Sequence, residues 1–356
     1  MNGKTILVTG GAGFVGSNLA THFKEVYPDA SILALDNLKR RGSEINIKRL
    51  RNRGIEFIHG DIRNSEDLNI GQDIDLLFEC SAEPSVMAGH GEDSLYVINT
   101  NLLGTVNCLE IARKSKADMV FISSSRVYPY EVINVLEIVE EPTRFAWKGG
   151  QTFEGWSQNG IDVNFPMEGA RTLYGASKLC SEILIREYIT MYGIRAVINR
   201  CGVIAGPWQF GKVDQGVFTH WMLSHYFQNE LNYIGFGGQG RQVRDLLHVR
   251  DLCKLVDAQI QSLDRANGRT YNVGGGTLVN LSLLETTAIC EEITGNRIRI
   301  GSDVTTRPGD IAIYVSDIGR VSHDFGWAPE FTSREILQEI YQWIQENEHD
   351  IEASLQ

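Results

Sequence analysis

A chain of 356 residues that is 42% apolar and 22% charged can bury a sizeable core, in one large or two interlocked domains. Its formal net charge of -12 argues against nucleic acid or an anionic membrane as partner, since both need a basic face, but it leaves room for a nucleotide held by a few local arginines. No run approaches the roughly eighteen apolar residues of a membrane span, and no charged leader precedes an apolar segment, so the expectation is a cytoplasmic protein with no membrane partner.

Thr5-Ile6-Leu7-Val8-Thr9 runs straight into Gly10-Gly11-Ala12-Gly13-Phe14-Val15-Gly16 and then Ser17-Asn18-Leu19, the pattern of a strand, a tight turn and a helix. Gly10 and Gly11 permit backbone angles closed to other residues, Gly13 admits a diphosphate to the main chain, and Gly16 lets the helix pack on its strand. Free amides where the helix starts, around Phe14 and Val15, then face the anion. A second apolar run, Ser31 to Leu35, ends at Asp36, about twenty residues beyond the last glycine, where an acid binds an adenosine ribose and repels a 2′-phosphate. NAD is therefore favoured over NADP, although Lys39, Arg40 and Arg41 follow closely enough to accommodate that phosphate.

A helix-like stretch from Ser43 to Arg53 leads to a strand at Ile55–Ile58, which ends at Asp61-Ile62 on the ligand-binding edge of the sheet. The next strand, Ile74–Phe78, closes on Cys80-Ser81-Ala82-Glu83-Pro84, small residues that let ribose and phosphates pass close to the backbone. Leu95, Ile98, Leu102, Val106, Leu109 and Ala112 recur at helical spacing between Ser94 and Ser115, and Asn99 and Asn101 interrupt that helix beside the cofactor edge. Met119–Ile122 delivers Ser123, Ser124 and Ser125 at a strand's carboxyl end, where chemistry sits in open α/β sheets. Residues 130–172 break the alternation, and their aromatics, among them Trp147 and Trp156, suggest a binding lid.

Tyr174-Gly175-Ala176-Ser177-Lys178 opens a helix that continues through Tyr188, and Arg195–Ile198 supplies another strand. Beyond residue 204 the pattern turns to mixed short strands and helices, the mark of a smaller second domain. Its polar stretches are Asp214-Gln215-Gly216, Gly240-Arg241-Gln242-Val243-Arg244-Asp245 and Arg307-Pro308-Gly309-Asp310. Six scattered cysteines read as free thiols, and His220, His225 and His248 lack ligand spacing, so no metal is expected.

Four positions apart on a helix, Tyr174 and Lys178 share one face. A free tyrosine titrates near 10, and a fixed ammonium beside it favours the phenolate, bringing the group toward use as a base. Ser124 can hydrogen-bond the same substrate hydroxyl. With a nicotinamide, the three can remove a hydroxyl proton while a hydride leaves the same carbon.

Gly10-x-x-Gly13-x-x-Gly16, Asp36, Asp61, Asn101-x-x-Gly104-Thr105, Ser124, Tyr174-x-x-x-Lys178 and Tyr271-Asn272-Val273-Gly274 together resemble the extended short-chain dehydrogenase/reductase family over nearly the whole chain. The resemblance implies a Rossmann-type doubly wound parallel sheet with a smaller mixed α/β substrate domain. An NAD-binding domain would span 1–203, with 249–275 returning to it, and a nucleotide-sugar domain 204–356. It further implies catalysis by Ser124, Tyr174 and Lys178, and cofactor contacts from Gly10, Gly13, Phe14, Val15, Gly16, Asp36, Asn37, Asp61, Ile62, Ala82, Asn101, Tyr174 and Lys178. Substrate contacts are expected from Ser85, Ser125, Arg126, Gln215, Arg244 and Arg307.

Sugar 4,6-dehydratases of this family place Asp-Glu right after the catalytic serine or threonine, where Ser125 and Arg126 stand here. The glutamate that the decarboxylases place before the Val-Tyr pair is also missing. That basic residue, the Asp214-Gln215-Gly216 stretch with Trp221, and the run from Gly240 to His248 look most like the CDP-paratose 2-epimerases, or CDP-tyvelose epimerases. The likeness implies inversion at C2 of a CDP-linked sugar through a 2-keto intermediate, with Arg244 and Arg307 clamping the diphosphate. Val203 departs from the family, many of whose members carry a phosphate-contacting asparagine three residues before a Gly-Pro pair. The resemblance also implies a homodimer in which the helices at 94–115 and 174–192 form a four-helix interface, with a homotetramer the alternative. Two other readings stay open, a UDP-sugar 4-epimerase and an NAD-binding regulator without turnover.

Overall fold

The computed structural model describes residues 1, 3–90, 93–210 and 216–355. Seven strands form the central sheet: β1 (Thr5–Thr9), β2 (Ser31–Asp36), β3 (Glu56–His59), β4 (Leu76–Glu79), β5 (Asp118–Ser124), β6 (Ala196–Cys201) and β7 (Thr270–Val273). They run parallel in the order β7-β6-β5-β4-β1-β2-β3. The inner strands are apolar almost without interruption, because a parallel sheet with right-handed crossovers is covered on both faces. On one face Leu19 and Phe23 of the Phe14–Val26 helix meet Leu252 and Val256 of the Val249–Gln261 helix. On the other, Leu109 and Ala112 of the Gly104–Ser115 helix meet Ile185 of the Leu173–Tyr192 helix. Strand order reverses between β1 and β4, which opens a crevice at their carboxyl ends.

A smaller mixed sheet adjoins this one. Its Val243–His248 strand pairs parallel with Val203–Ala205 and Ile313–Tyr314 and antiparallel with Asn280–Ser282. The helices Val217–Tyr226, Leu283–Thr294 and Ser333–Glu346 cover it around Trp221, Met222, Cys290, Ile336 and Ile340. Asp245 sits where the two sheets meet, and a Cβ added at Gly202 or Gly274 would come within 2.5 or 2.0 Å of its carboxylate. Among the described residues no helix is long and apolar enough to cross a membrane.

The helix expected from Ser94 to Ser115 runs the full distance, but Asn99–Leu103 is wound as a π-helix between α-helical Ser94–Ile98 and Gly104–Ser115. The bulge is held by hydroxyls: Thr105 Oγ1 and Ser181 Oγ donate to the Asn101 carbonyl at 2.7 and 3.0 Å. Such bulges gather at functional sites.

The stretch 130–172 is not the lid that its aromatics suggested. Two short hairpins, Ile138–Glu140 with Phe145–Trp147 and Trp156–Ser157 with Gly160–Ile161, strap it to the second sheet. Arg144 Nε donates to Glu285 at 2.7 Å and Phe145 N to the Arg241 carbonyl at 2.9 Å. Trp156 and Phe165 are spent in a core cluster with Tyr128, Ile311 and Tyr314, so the aromatic surface lines protein rather than ligand.

Beneath the end of β5 lies a buried ion pair. Arg200 of β6 donates to Glu182 of the Leu173–Tyr192 helix at 2.7 Å, with Ser123 Oγ on the same carboxylate at 2.6 Å and Tyr128 OH 3.1 Å from the guanidinium. Glu182 is 1% exposed and Arg200 5%. Removing one member leaves an uncompensated buried charge, so Glu182→Ala is expected to lower urea-unfolding stability by about 3–5 kcal/mol. A loss below about 1 kcal/mol, the range of exposed pairs, would contradict that role.

Candidate active site

The crevice is a cavity of about 550 Å³ at the carboxyl edge of the sheet. Its floor is the turn after β1. The helix begins at Phe14, three residues earlier than Ser17, so Gly16 lies inside its first turn, where a Cβ would stand 2.2 Å from the Gly10 carbonyl. Gly10 itself has φ +65° and abuts the Cys80 carbonyl, so a side chain there would be both strained and obstructed. Gly13 caps the helix without a side-chain acceptor, which leaves the first amides, those of Phe14, Val15 and Gly16, facing the cavity they line. This cradle fits a dinucleotide diphosphate.

Asp36 closes β2 on the same wall and accepts from Ala12 N at 3.1 Å and Leu38 N at 2.8 Å. Burial pushes its carboxyl up, against those amide hydrogen bonds. Of the cations that follow it, Lys39 stands over the Tyr96 ring at 4.9 Å and Arg40 donates to the Phe210 carbonyl. Asn37 donates to Asp61 at 2.9 Å. Burial raises the Asp61 carboxyl, but the Arg63 guanidinium and the Asn37 amide outweigh it and hold the group at about 2. Ile62 and Ala82 complete the expected lining. Asn101 lies behind the wall, fully buried: its side chain accepts from Glu83 N at 2.7 Å and donates to Glu83 O at 3.1 Å and to Ser177 at 3.2 Å. It shapes the loop carrying Ala82 and Ser85 and ties it to the Leu173–Tyr192 helix, a task a free cofactor ligand could not perform.

Ser124, Tyr174 and Lys178 all line the far end of this cavity. Ser124 caps the short turn Ser125–Val127, its Oγ accepting from Arg126 N at 3.1 Å, so its hydroxyl hydrogen remains free to donate. Thr172 caps the helix that bears Tyr174, Oγ1 accepting from Gly175 N at 3.3 Å. A Cβ on Gly175 would fall 2.0 Å from the Arg126 carbonyl; that glycine brings the helix start against the Ser124 turn. Tyr174 is 8% exposed and Lys178 1%.

A second cavity, about 290 Å³, shares Val86, Arg126, Val203 and Gly216 with the first. Arg126, Arg244 and Arg307 line it. Arg126 donates to the Gly309 carbonyl at 3.0 Å, and Arg244 pairs with Asp310 at 2.9 Å. Burial lowers both guanidiniums, Arg244 to about 10, while Asp310 opposes the shift. Ser85 and Ser125 line the first cavity; Gln215 lies outside the described residues. Val203 leaves an apolar wall where many relatives have an amide.

Sequence reasoning missed two acids. Asp310, inside a motif noted for its arginine, is the partner that orients Arg244. Glu79 is wholly buried at the end of β4, its Oε2 3.6 Å from Lys178 Nζ. The strand was expected to stop at Phe78, yet a glutamate flanked by Leu-Leu-Phe and Cys was itself the signal of a buried charge. No group of three or more metal-binding side chains occurs among the described residues.

Residues 6–274 match the model of the NAD dependent epimerase/dehydratase family. The chain is similar to a CDP-paratose 2-epimerase of Salmonella typhi, 28% identical over 345 residues, covering 95% of this chain and 98% of that one. It is also similar to a dTDP-glucose 4,6-dehydratase of Streptomyces niveus, at 27% identity with coverage of 96% and 93%. Among solved structures, UDP-glucuronic acid 4-epimerase of Bacillus cereus, in complex with UDP-glucuronic acid and NAD, superposes with a TM-score of 0.77 at 24% identity, covering 96% of this chain and 99% of its own. With the dinucleotide cradle and the Ser124, Tyr174 and Lys178 wall in place, the matched span makes this chain a member of the NAD dependent epimerase/dehydratase family, an enzyme with NAD as its cofactor.

Proposed function

We propose that the protein is a nucleotide-sugar epimerase that inverts C2 of a CDP-linked hexose or deoxyhexose. The observation that carries this reading is the junction of the two cavities: Ser124, Tyr174 and Lys178 close the cofactor cleft where the arginine-lined chamber opens from it. Ser125 and Arg126 stand where the family's dehydratases carry the Asp-Glu pair that eliminates water, which favours simple epimerisation. Similarity to the Salmonella typhi enzyme supports CDP and C2 in particular.

NAD held over the turn from Gly10 to Gly16 would supply the acceptor, and then the donor, of a hydride at one sugar carbon. Tyr174 accepts the proton of the hydroxyl on that carbon, and the Lys178 ammonium stabilises the resulting negative charge on the phenol oxygen. Ser124 donates its hydroxyl hydrogen to the same substrate oxygen and keeps it within reach of Tyr174. Arg126, Arg244 and Arg307 grip the diphosphate with planar, bidentate donors, so the sugar can turn about its phosphate link while the anchor stays fixed. Tyr174 then gives its proton back to the sugar oxygen, and the cycle closes without net oxidation.

The exposed apolar side chains support a homodimer or a homotetramer built from it. Leu95 (68% exposed), Leu103 (49%), Ile183 (54%), Met191 (67%) and Tyr192 (49%) cluster on the two neighbouring helices 94–115 and 173–192, the faces that would pair across a twofold axis.

With CDP-linked sugars in heavy water, proton NMR should show inversion at C2 without solvent deuterium at that carbon. Deuterium there would mean proton abstraction from carbon instead, and inversion at C4 would reassign the substrate chemistry. Tyr174→Phe should lower turnover about 10²- to 10⁴-fold, the range of a lost general acid–base group. Light scattering should give a mass two or four times that of one chain, reduced by Ile183→Asp; a monomeric parent protein would remove the proposed assembly.

A further inference from the structure

Two cations stand near Tyr174 at the reactive end of the cleft, Arg126 and Lys178, and of these Lys178 is almost completely shut off from water. Its ammonium faces the Phe121 ring at 4.4 Å to the centroid on one side and Glu79 Oε2 at 3.6 Å on another. Glu79 projects from the last position of β4, in register with Thr9 of β1 and Phe121 of β5, so neighbouring strands seal it on both sides. Neither of its oxygens has a hydrogen-bond partner within 3.5 Å among the described residues. A carboxylate so placed has only the lysine to compensate it, and a buried ammonium needs an anion in return.

We propose that Glu79 is the counter-ion of Lys178, a positioning residue that fixes the ammonium and sets how strongly its charge acts on Tyr174. The inference rests on the catalytic reading above and adds a member to it. Other groups that face the pair leave the charge balance to these residues. They are the thiols of Cys80 at the end of β4, Cys108 from the Gly104–Ser115 helix and Cys201 from β6. Burial pushes all three thiols up, so they stay neutral at working pH. Thr9 from β1 and Phe121 from β5 do not titrate. Tyr174, from the helix that carries Lys178, titrates beside the pair, and the Arg126 guanidinium faces that phenol from the turn after β5, its own charge opposed by Asp310. Glu182 on that helix is engaged by Arg200. Desolvation drives the Glu79 carboxyl up, and the Lys178 ammonium, with a smaller share from the Ser81 amide, opposes it.

An ammonium paired with a carboxylate presents a dipole to the phenol; an unpaired one presents a full charge. Removing the negative charge while keeping the shape therefore makes both Tyr174 and Lys178 release their protons at lower pH. The test is Glu79→Gln in the NAD-bound protein, read by near-ultraviolet phenolate absorbance as a difference between chains with and without Tyr174→Phe. The Tyr174 phenolate signal should arise about one pH unit lower than in the parent, the scale of a single nearby charge. Both limbs of the pH–kcat profile should move the same way. Glu79→Asp, which keeps the charge but retracts it, should shift less. If Glu79→Gln does not fold, Glu79→Asp decides alone, by a smaller downward shift or none.

An unmoved phenolate signal overturns the proposal, since a merely structural glutamate would change stability or the height of the rate profile without displacing it. Because this readout needs no substrate, absence of nucleotide-sugar turnover in the parent would refute the proposed function and still leave Glu79 decided. A working epimerase with an unshifted Glu79→Gln titration would refute only the role of Glu79.

Discussion

Two close backbone approaches hold the active site together. Gly16 seats the first helix on the Gly10 carbonyl, and Gly175 seats the Tyr174 helix on the Arg126 carbonyl, each at a separation that a Cβ would not allow. Both contacts press the start of a helix onto the carboxyl edge of the sheet. The first leaves open amides where a diphosphate would rest; the second sets a phenol beside a serine. Chemistry at the crevice therefore depends less on any single polar contact than on the absence of two side chains.

That edge is also where the fold accepts buried charge. Arg200 and Glu182 lie under β5 and β6 with hydrogen bonds from Ser123 and Tyr128, a fully satisfied arrangement that fixes the catalytic helix. Lys178 and Glu79 lie one strand away at 3.6 Å without such support. The contrast is physical: a satisfied network gives rigidity, while a sparsely bonded pair leaves a charge whose influence a neighbouring phenol can feel.

Much of this was legible in the residue order. Apolar runs ending in Asp36, Asp61, Ala82 and Ser124 fixed the strands and the edge they share, because a parallel sheet writes itself as continuous hydrophobic segments with small or polar ends. Helical spacing put Tyr174 and Lys178 on one face, and the glycine turn, Asp36 and Ser124 ahead of them gave that spacing its meaning. Asn101 was read as facing the cofactor, because position along a helix does not reveal that its amide is taken up by Glu83 and Ser177 inside the wall. The 130–172 strap was misread because aromatics serve a ligand and a core equally well, and only the partner surface of Tyr128, Ile311 and Tyr314 tells them apart. Glu79 escaped because the strand was ended one residue short, at the last apolar side chain.

An epimerase in the proposed sense must release one face of a sugar and present the other without losing it, which sets opposite demands on the two cavities. The phosphate end needs strong directional contacts, and Arg126, Arg244 and Arg307 converge on the smaller chamber. The sugar end needs few, since every hydrogen bond to a ring hydroxyl would have to break during the turn. Of the four residues shared by both cavities, Val86, Val203 and Gly216 offer no polar side chain and only Arg126 does. In that reading Val203 adds no polar contact to the phosphate side, and the Arg244–Asp310 pair, oriented without a ligand, is one preorganised anchor among the arginines there.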